Sequence, residues 1–112
     1  MSEKEKETET DTDIEADDLL PAERLRQSAL EGDVTQIHRG ERHANEDDRF
    51  VIDGTTFEVV EVYEERLGDM TDEDARAEGS DSLEDYKRRV ERAHGIEWDD
   101  DSTAVLHRFE RV

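Results

Sequence analysis

Two helix-start signals and a glycine stop follow one another within fifteen residues, between Thr71 and Asp85. Asp74 comes three residues after Thr71, and Asp85 three residues after Ser82. In such pairs the hydroxyl accepts a hydrogen bond from an unsatisfied amide at the helix start, and the carboxylate bonds back to the cap residue. Gly79 stands where the first helix needs a left-handed residue to end. A short helix, a glycine break and a longer helix, placed between strands, are an unusual arrangement that restricts the folds open to this chain.

The remaining pattern predicts one earlier helix and a set of strands. The helix begins at Pro21, where a missing amide costs little, and ends at Gly32. Asp53-Gly54 is a hairpin signal between two strand-like runs, and the consecutive Val59-Val60 indicates either a strand buried on both faces or a bulge. The predicted strand segments are Phe50–Ile52, Thr55–Val62 and Thr103–Val112. This order predicts an α+β fold, a small mixed barrel with helices packed against it, rather than a doubly wound sheet.

The acidic and highly charged composition points to the salt conditions in which the protein works. Only 31% of the residues are hydrophobic, 45% are charged and the formal net charge is −20, values that are typical of disorder. From Leu19 onward, however, the apolar residues are clustered and periodic, and twelve arginines stand against three lysines. Because molar salt shortens the Debye length to about 3 Å, we interpret the acidic surface as that of a halophile. The alternative is an acidic protein that mimics or displaces nucleic acid.

Residues 1–18 are predicted to form a disordered acidic tail. They hold nine acidic side chains and two lysines, a net charge of −7, with too little apolar surface to offset the entropy of ordering. The chain contains no cysteine, which excludes disulfides and thiolate chemistry. No apolar run approaches the ~18 residues that a bilayer span needs, so we expect a soluble, cytoplasmic protein with no membrane partner.

The segment from Leu67 to Tyr86 resembles the signature of ASCH domains (activating-signal-cointegrator homology), members of the PUA-like superfamily. That signature reads hydrophobic-x-Asp-hydrophobic-Thr-x-x-x-Ala-x-x-Glu-Gly, followed by a Ser-Leu helix. The matching positions are Leu67, Asp69, Met70, Thr71, Ala75, Glu78, Gly79, Ser82 and Leu83. The resemblance implies an ASCH domain, from a halophilic archaeon on the composition, over residues 19–112. It also implies a small PUA-like open β-barrel flanked by helices, with nucleic-acid binding in the cleft between barrel and helices.

The family's other motif is less complete. Members of this type carry Gly-x-Lys-Thr-x-Thr-x-Arg after the first helix, and Gly32, Thr35 and Arg39 fit it. Val34 replaces the lysine and Ile37 the second threonine. Some bacterial members resemble amidohydrolases that act on N4-acylated cytidines with a lysine, a threonine and a glutamate. Here the glutamate alone has a clear counterpart.

That counterpart, Glu78, is the one candidate catalytic residue of the chain. A threonine hydroxyl needs a nearby base to become a nucleophile, and His38 could substitute for the lysine in that role. The alternative for Glu78 is a helix-end carboxylate in a hydrogen-bond network. The sequence therefore predicts binding rather than catalysis, with a small amidohydrolase acting on a modified nucleoside kept as the alternative.

The densest group of donors is the run His38-Arg39-Gly40-Glu41-Arg42-His43. Imidazoles can stack on bases and guanidinium groups can bond phosphate, so the run suits unpaired RNA or a nucleotide. A solvated loop with internally paired arginines is the alternative. The predicted nucleic-acid-binding residues are Thr35, His38, Arg39, Arg42, His43 and Glu78.

No metal site or cofactor is predicted, because the four histidines lack zinc-type spacing. We favour a monomer, and a third hypothesis is a protein-interaction module that uses the acidic tail.

Overall fold

The computed structural model describes residues 13–112. In this part of the chain two helices precede the first strand, and two further helices separate the third strand from the fourth. A 3-10 turn, Leu67–Asp69, follows the third strand. The helices are α1 (Ala16–Leu19), α2 (Glu23–Glu31), α3 (Asp72–Ala77) and α4 (Leu83–His94). The strands are β1 (Gln36–Arg39), β2 (Arg49–Ile52), β3 (Thr55–Arg66) and β4 (Thr103–Arg111).

The four strands form one curled antiparallel sheet, half a barrel, in the order β1-β4-β3-β2. The twelve-residue β3 pairs with β2 at its start and with β4 along most of its length. Asp53 and Gly54 both have positive φ angles, 47° and 84°, which is the backbone of the predicted hairpin turn. The expected α+β fold, a curled antiparallel sheet flanked by helices, is confirmed.

A β-bulge interrupts β3. Val59 pairs with Phe109 and Glu61 with Arg108, so Val60 has no partner on β4. Val60 is 39% exposed, which decides between the two interpretations of Val59-Val60 in favour of the bulge. Because side chains alternate along a strand, the extra residue moves every later side chain of β3 to the opposite face of the sheet.

Helices cover both faces of the sheet. On one face the core contains three packed phenylalanines, Phe50, Phe57 and Phe109, with ring centroids 5.4 to 5.9 Å apart. Leu19 of α1 and Ala29 of α2 close this core. On the other face a smaller apolar cluster joins α3 and α4 to the 3-10 turn. Its buried members are Met70, Ala75 and Tyr86, against which Leu67, Leu83, Val90 and Trp98 pack.

The predicted capping is confirmed in full at α3 and in part at α4. Thr71 Oγ1 accepts from the Asp74 amide and Asp74 Oδ2 accepts from the Thr71 amide, a complete capping box. Ser82 Oγ accepts from the Asp85 amide at the start of α4, but the Asp85 carboxylate accepts from Arg88 instead of bonding back to the cap residue, so only half of the predicted pair forms there. Gly79 has a φ of +93°, and a Cβ built there would lie 3.3 Å from Cγ2 of Val34. A side chain at this position would be strained by both the backbone and the neighbour.

The beginning of the chain differs from the expectation. Pro21 does not open a helix; α2 begins at Glu23, and the four-residue α1 before it was not predicted. Of the predicted tail, residues 1–12 lie outside the described residues. Residues 13–18 are described, and the amides of Asp13 and Ile14 both donate to the carbonyl of Arg49 on β2. None of the helices in residues 13–112 has the length and apolar character that a bilayer crossing requires.

Candidate functional site

A cleft of about 570 Å³ opens between β1, the start of α2, the second half of α4 and the loop before β4. Its floor contains Gln36, His38 and Glu78. Its rim is rich in cationic side chains, and its walls are largely apolar. The cationic residues are Arg24, Arg39 and Arg89, His94 also lines the cavity, and the apolar and aromatic residues include Leu25, Tyr86, Val90, Ile96 and Trp98.

Glu78 is the centre of the floor, and its carboxylate is only 2% exposed. It follows α3 directly, and the left-handed Gly79 after it ends the helical path. One oxygen, Oε1, accepts from the amide of His38 at 3.2 Å. The other, Oε2, accepts from the side-chain nitrogen Nε2 of Gln36 at 3.1 Å and lies 2.5 Å from His38 Nδ1. A buried carboxylate needs such partners, because an unpaired one would be too costly to keep charged.

His38 is held between two carboxylates. Its Nδ1 lies 2.5 Å from Glu78 and its Nε2 lies 2.7 Å from Glu65 Oε1, and its side chain is 2% exposed. Carboxylates only accept, so both ring nitrogens must carry hydrogen to bond both partners. Burial lowers the pKa of His38, but the hydrogen bonds and charges of Glu78 and Glu65 together outweigh burial and raise the pKa above its ordinary value.

Two side chains of α4 support Glu78 from above. Burial raises the pKa of the Tyr86 phenol, and the neighbouring Glu78 carboxylate raises the pKa further. Tyr86 therefore stays protonated and can act as a hydrogen-bond donor towards Glu78. Arg89 donates to the backbone carbonyl of Glu78 at 3.2 Å, and its guanidinium carbon lies 5.2 Å from the centre of the Tyr86 ring. Contacts from α4 therefore help to hold Glu78 in place at the floor of the cleft.

The polar network continues along the sheet beyond the cleft. The amide nitrogen of Gln36 also lies 3.4 Å from Asp74 Oδ1 on α3, and its oxygen accepts from Arg108 at 3.3 Å. Arg108 in turn forms an ion pair with Glu61. Because partners across antiparallel strands share a face, these groups and the His38–Glu65 pair lie on the face covered by α3 and α4.

The cleft includes three of the six residues predicted from the sequence: His38, Arg39 and Glu78. Arg39 is anchored, since its guanidinium donates to the carbonyls of Asp18 and Leu19 at 2.9 Å each. This contact attaches the end of α1 to β1. Arg39 is therefore presented at the cleft in a defined orientation.

The other three predicted residues lie outside the cleft lining. Thr35 is exposed and binds its neighbours through its backbone. Arg42 donates to the side-chain oxygen of Asn45 within the loop after β1, at 2.8 Å. His43 packs towards the other face of the sheet, where its amide donates to Nε2 of the fully buried His107 at 3.0 Å.

His107 is thus a core histidine. Burial, with smaller contributions from the nearby His43 and Arg39, lowers its pKa to about 4. Its Nε2 accepts the His43 amide and must therefore be unprotonated, which fixes the neutral tautomer with hydrogen on Nδ1. Within residues 13–112, no hydrogen-bond partner of that Nδ1 is recorded.

Sequence reasoning missed Arg24, Arg89, His94 and Trp98 as cleft residues. A usable signal existed for two of them: Arg89 and His94 are adjacent to Val90 and Ala93, members of the apolar stripe of α4. Residues next to an inward stripe border whatever lies beneath the helix. For Arg24 and Trp98 the sequence held no local signal. In the described part of the chain, no group of three or more His, Cys, Asp or Glu side chains is arranged to hold a metal ion.

Two solved structures are similar to this chain. One is the ASCH domain from Lactobacillus crispatus JV V101, with a TM-score of 0.62, 20% identity, and coverage of 89% of this chain and 77% of the other. The second is protein EF3133 from Enterococcus faecalis V583, described as DUF984, with a TM-score of 0.59, 18% identity, and coverage of 80% and 67%. No protein-family model matches the sequence, and no curated protein matches it significantly. The resemblance noted in the sequence is confirmed at the level of architecture, and the chain has the fold of an ASCH domain.

Proposed function

We propose that this protein binds an unpaired nucleotide of RNA, or a free nucleotide, in the cleft between β1 and α4. The observation that carries the proposal is the grouping of arginines around one cavity in a chain whose net charge is −20. A cavity of about 570 Å³ is within the ordinary range for small ligands, roughly 300 to 1,000 Å³. The ASCH resemblance implies the same class of ligand.

The two kinds of wall suit the two parts of a nucleotide. Apolar and aromatic side chains such as Leu25, Val90 and Trp98 offer a surface for a base. Arg24 and Arg39 at the rim offer guanidinium donors for phosphate. Since phosphate contacts weaken steeply as salt rises, a protein adapted to molar salt has to rely on the base contacts and on directional hydrogen bonds.

The residues in and beside the floor of the cleft favour binding over hydrolysis. Val34 stands where the resemblance implies a lysine, and it is 1% exposed against Gly79. His38 cannot replace that lysine as a base while both of its nitrogens bond carboxylates. An amidohydrolase acting on an N4-acylated cytidine remains the second candidate, because His38 and Glu78 do border the cavity.

The single tryptophan makes the cleft directly observable. Trp98 is the only tryptophan of the chain and lines the cavity. We expect saturable quenching of its fluorescence by a random-sequence single-stranded RNA hexamer, in both 0.2 M and molar potassium chloride. A blunt-ended RNA duplex of the same composition should quench far less. Absence of saturable quenching in both salts would contradict the proposal.

Paired arginine variants locate the site. Arg24→Gln removes a rim cation and should weaken hexamer binding about tenfold, the effect of one lost charge-assisted hydrogen bond. Arg42→Gln is the matched control, because Arg42 bonds Asn45 in the loop outside the cleft. Equal weakening by both variants would place the site on the loop instead. Release of cytidine from N4-acetylcytidine, followed by chromatography, would show the second candidate to be correct.

A further inference from the structure

The turn between α3 and α4 is fastened to the edge of the sheet by a line of hydrogen bonds that we name the Glu78 seam. It joins residues 34–38 to Ala77 and Glu78. The Thr35 amide donates to the Ala77 carbonyl at 2.8 Å, and Val34 and Glu78 form an isolated antiparallel bridge. The seam forms part of the cleft floor through Gln36, His38 and Glu78. Any loosening of the seam therefore changes the cleft.

Most of the side-chain bonds in the seam end on one carboxylate. Glu78 accepts from the His38 amide, from Gln36 and from the His38 ring. The ring also bonds Glu65 of β3, whose side chain is 17% exposed. His38 thus links the edge strand β1, the neighbouring turn and β3, and it does so only while both ring nitrogens carry hydrogen.

Loss of one proton from His38 has a defined structural cost. A neutral imidazole can donate to one carboxylate and turns a lone pair towards the other. Either Glu78 or Glu65 would then lose a hydrogen-bond donor within a largely buried site, which is unfavourable. The two carboxylates would also lose the positive charge that lies between them.

Other charged and titratable groups face this site from every packed element, and none of them replaces the imidazolium. The two His38 ring nitrogens bond Glu78 and Glu65, while Arg89 donates to the Glu78 carbonyl and Arg108 donates to Glu61 and Gln36. The groups that face the site are Glu61 and Tyr63 on β3, Arg108 on β4, Asp74 on α3, and Tyr86 and Arg89 on α4.

We propose that His38 is a proton-dependent positioning residue whose imidazolium holds the Glu78 seam closed and thereby sets the shape of the cleft. When His38 loses its proton, the seam loosens, Glu78 is no longer held in place and the cleft wall between β1 and α4 becomes mobile. The link to ligand binding rests on the proposed function, whereas the control of the seam by the proton does not.

The first experiment measures the titration of His38 by NMR in matched variants. Glu65→Gln keeps an oxygen that can accept from Nε2 but removes one of the two negative charges beside the ring. We expect this variant to lower the measured pKa of His38 by about 1. Glu64→Gln is the control, since it makes the same charge change at the neighbouring, exposed position of β3. An equal pKa in both variants, or a wild-type pKa at or below the ordinary value, overturns the proposal.

The second experiment follows hydrogen exchange of the seam amides. In the wild type, the amides of Thr35 and His38 should exchange at least tenfold faster above the His38 pKa, after correction for the intrinsic effect of pH. The Val59 amide, which bonds Asp48 on the far side of the sheet, serves as the reference and should not respond. In Glu65→Gln the acceleration should begin at a correspondingly lower pH. A shifted His38 titration without a matching shift in exchange overturns the proposal.

A third measurement connects the seam to the ligand. The affinity of the RNA hexamer, measured by Trp98 quenching, should fall as the pH rises through the His38 pKa, and the fall should begin earlier in Glu65→Gln than in Glu64→Gln. If the hexamer binds at no pH, the proposed function fails, while the exchange data still decide the role of His38. Binding with the same pH profile in both variants removes the link between seam and cleft.

Discussion

At the scale of single residues, two buried histidines lie on opposite faces of the sheet in opposite electrostatic environments. His38 lies between two carboxylates that outweigh its burial, so its pKa is raised. His107 lies in the apolar core, where burial lowers its pKa to about 4. One histidine is therefore stabilised in its charged form, which adds to stability at low pH, and the other in its neutral form, whose contribution is lost at low pH.

The effect of His107 can be isolated by substitution. Its folded-state pKa is below the unfolded value of 6.5, so its contribution is fully present above pH 6.5 and is lost as the pH falls towards 4. His107→Gln keeps an acceptor for the His43 amide and cannot titrate. Between pH 7 and pH 4.5 the wild type should lose roughly 2 kcal/mol more of its unfolding free energy than this variant. The measurement is urea unfolding across that pH range.

His43→Gln is the control for this experiment. His43 is only partly buried and contributes to the bond through its backbone amide, which the substitution retains. Its stability curve should therefore stay much closer to the wild-type slope than that of His107→Gln, because removing the His43 ring leaves burial, the main cause of the lowered pKa of His107, in place. A wild-type slope in His107→Gln would show that the core histidine is not the group responsible.

The role of Glu65 could not be predicted from the sequence, although His38 and Glu78 could be selected. Simple alternation from the buried Val59 would place Glu65 on the same face as Val59, away from His38. The bulge at Val60 reverses that assignment. A bulge depends on pairing with a distant strand, so no local pattern reveals which face the later residues take.

At the scale of elements, the sequence predicted those structures whose causes are local. The caps of α3 and α4 and the Asp53-Gly54 hairpin depend on neighbouring residues, and all are confirmed except the return bond from Asp85 at α4. The four-residue α1 was missed because its order depends on contacts with residues far along the chain, such as Arg39. The position of His43 was missed for the same reason. The loop after β1 bonds the distant His107, and this contact places His43 away from the cleft.

Removal of the α3 cap should have a measurable cost. Thr71→Ala deletes the hydroxyl that accepts the Asp74 amide and leaves that amide without its partner. We expect the unfolding free energy to fall by about 1 kcal/mol, the usual value of such a cap. Thr71→Ser retains the hydroxyl and should restore most of the loss. Chemical denaturation of the three proteins provides the measurement, and equal losses in both variants would show that the methyl group, not the cap, is responsible.

At the scale of the whole molecule, the acidic surface and the small core have to be considered together. A net charge of −20 on 112 residues opposes the compact state through repulsion between like charges. Only 31% of the residues are hydrophobic and can offset this repulsion by being buried. Several acids are used internally, as at Glu78, Glu65 and Asp74, but most are exposed. Stability should therefore depend on the ions around the protein.

This dependence has a characteristic shape. We expect the thermal midpoint to rise steeply as potassium chloride increases to about 0.3 M and more slowly above it, because the Debye length shortens from about 10 Å at 0.1 M to about 3 Å at 1 M. The midpoint can be followed by circular dichroism at constant pH. A rise that stays linear up to 3 M would indicate a general effect of salt on the protein surface and not the screening of carboxylates.

The bulge in β3 also has a consequence for changes in chain length. Val60 is the one residue of that strand between Phe57 and Arg66 without a partner on β4. A chain lacking Val60 would still place Glu61 opposite Arg108 and every later residue opposite its present partner. Deletion at this point therefore closes the bulge and preserves the contact between Glu65 and His38, whereas deletion at a position from 62 to 65, with the bulge kept, moves the residues that follow it to the opposite face of the sheet. In an alignment of related chains, a gap should be tolerated at position 60 and excluded from positions 62 to 65.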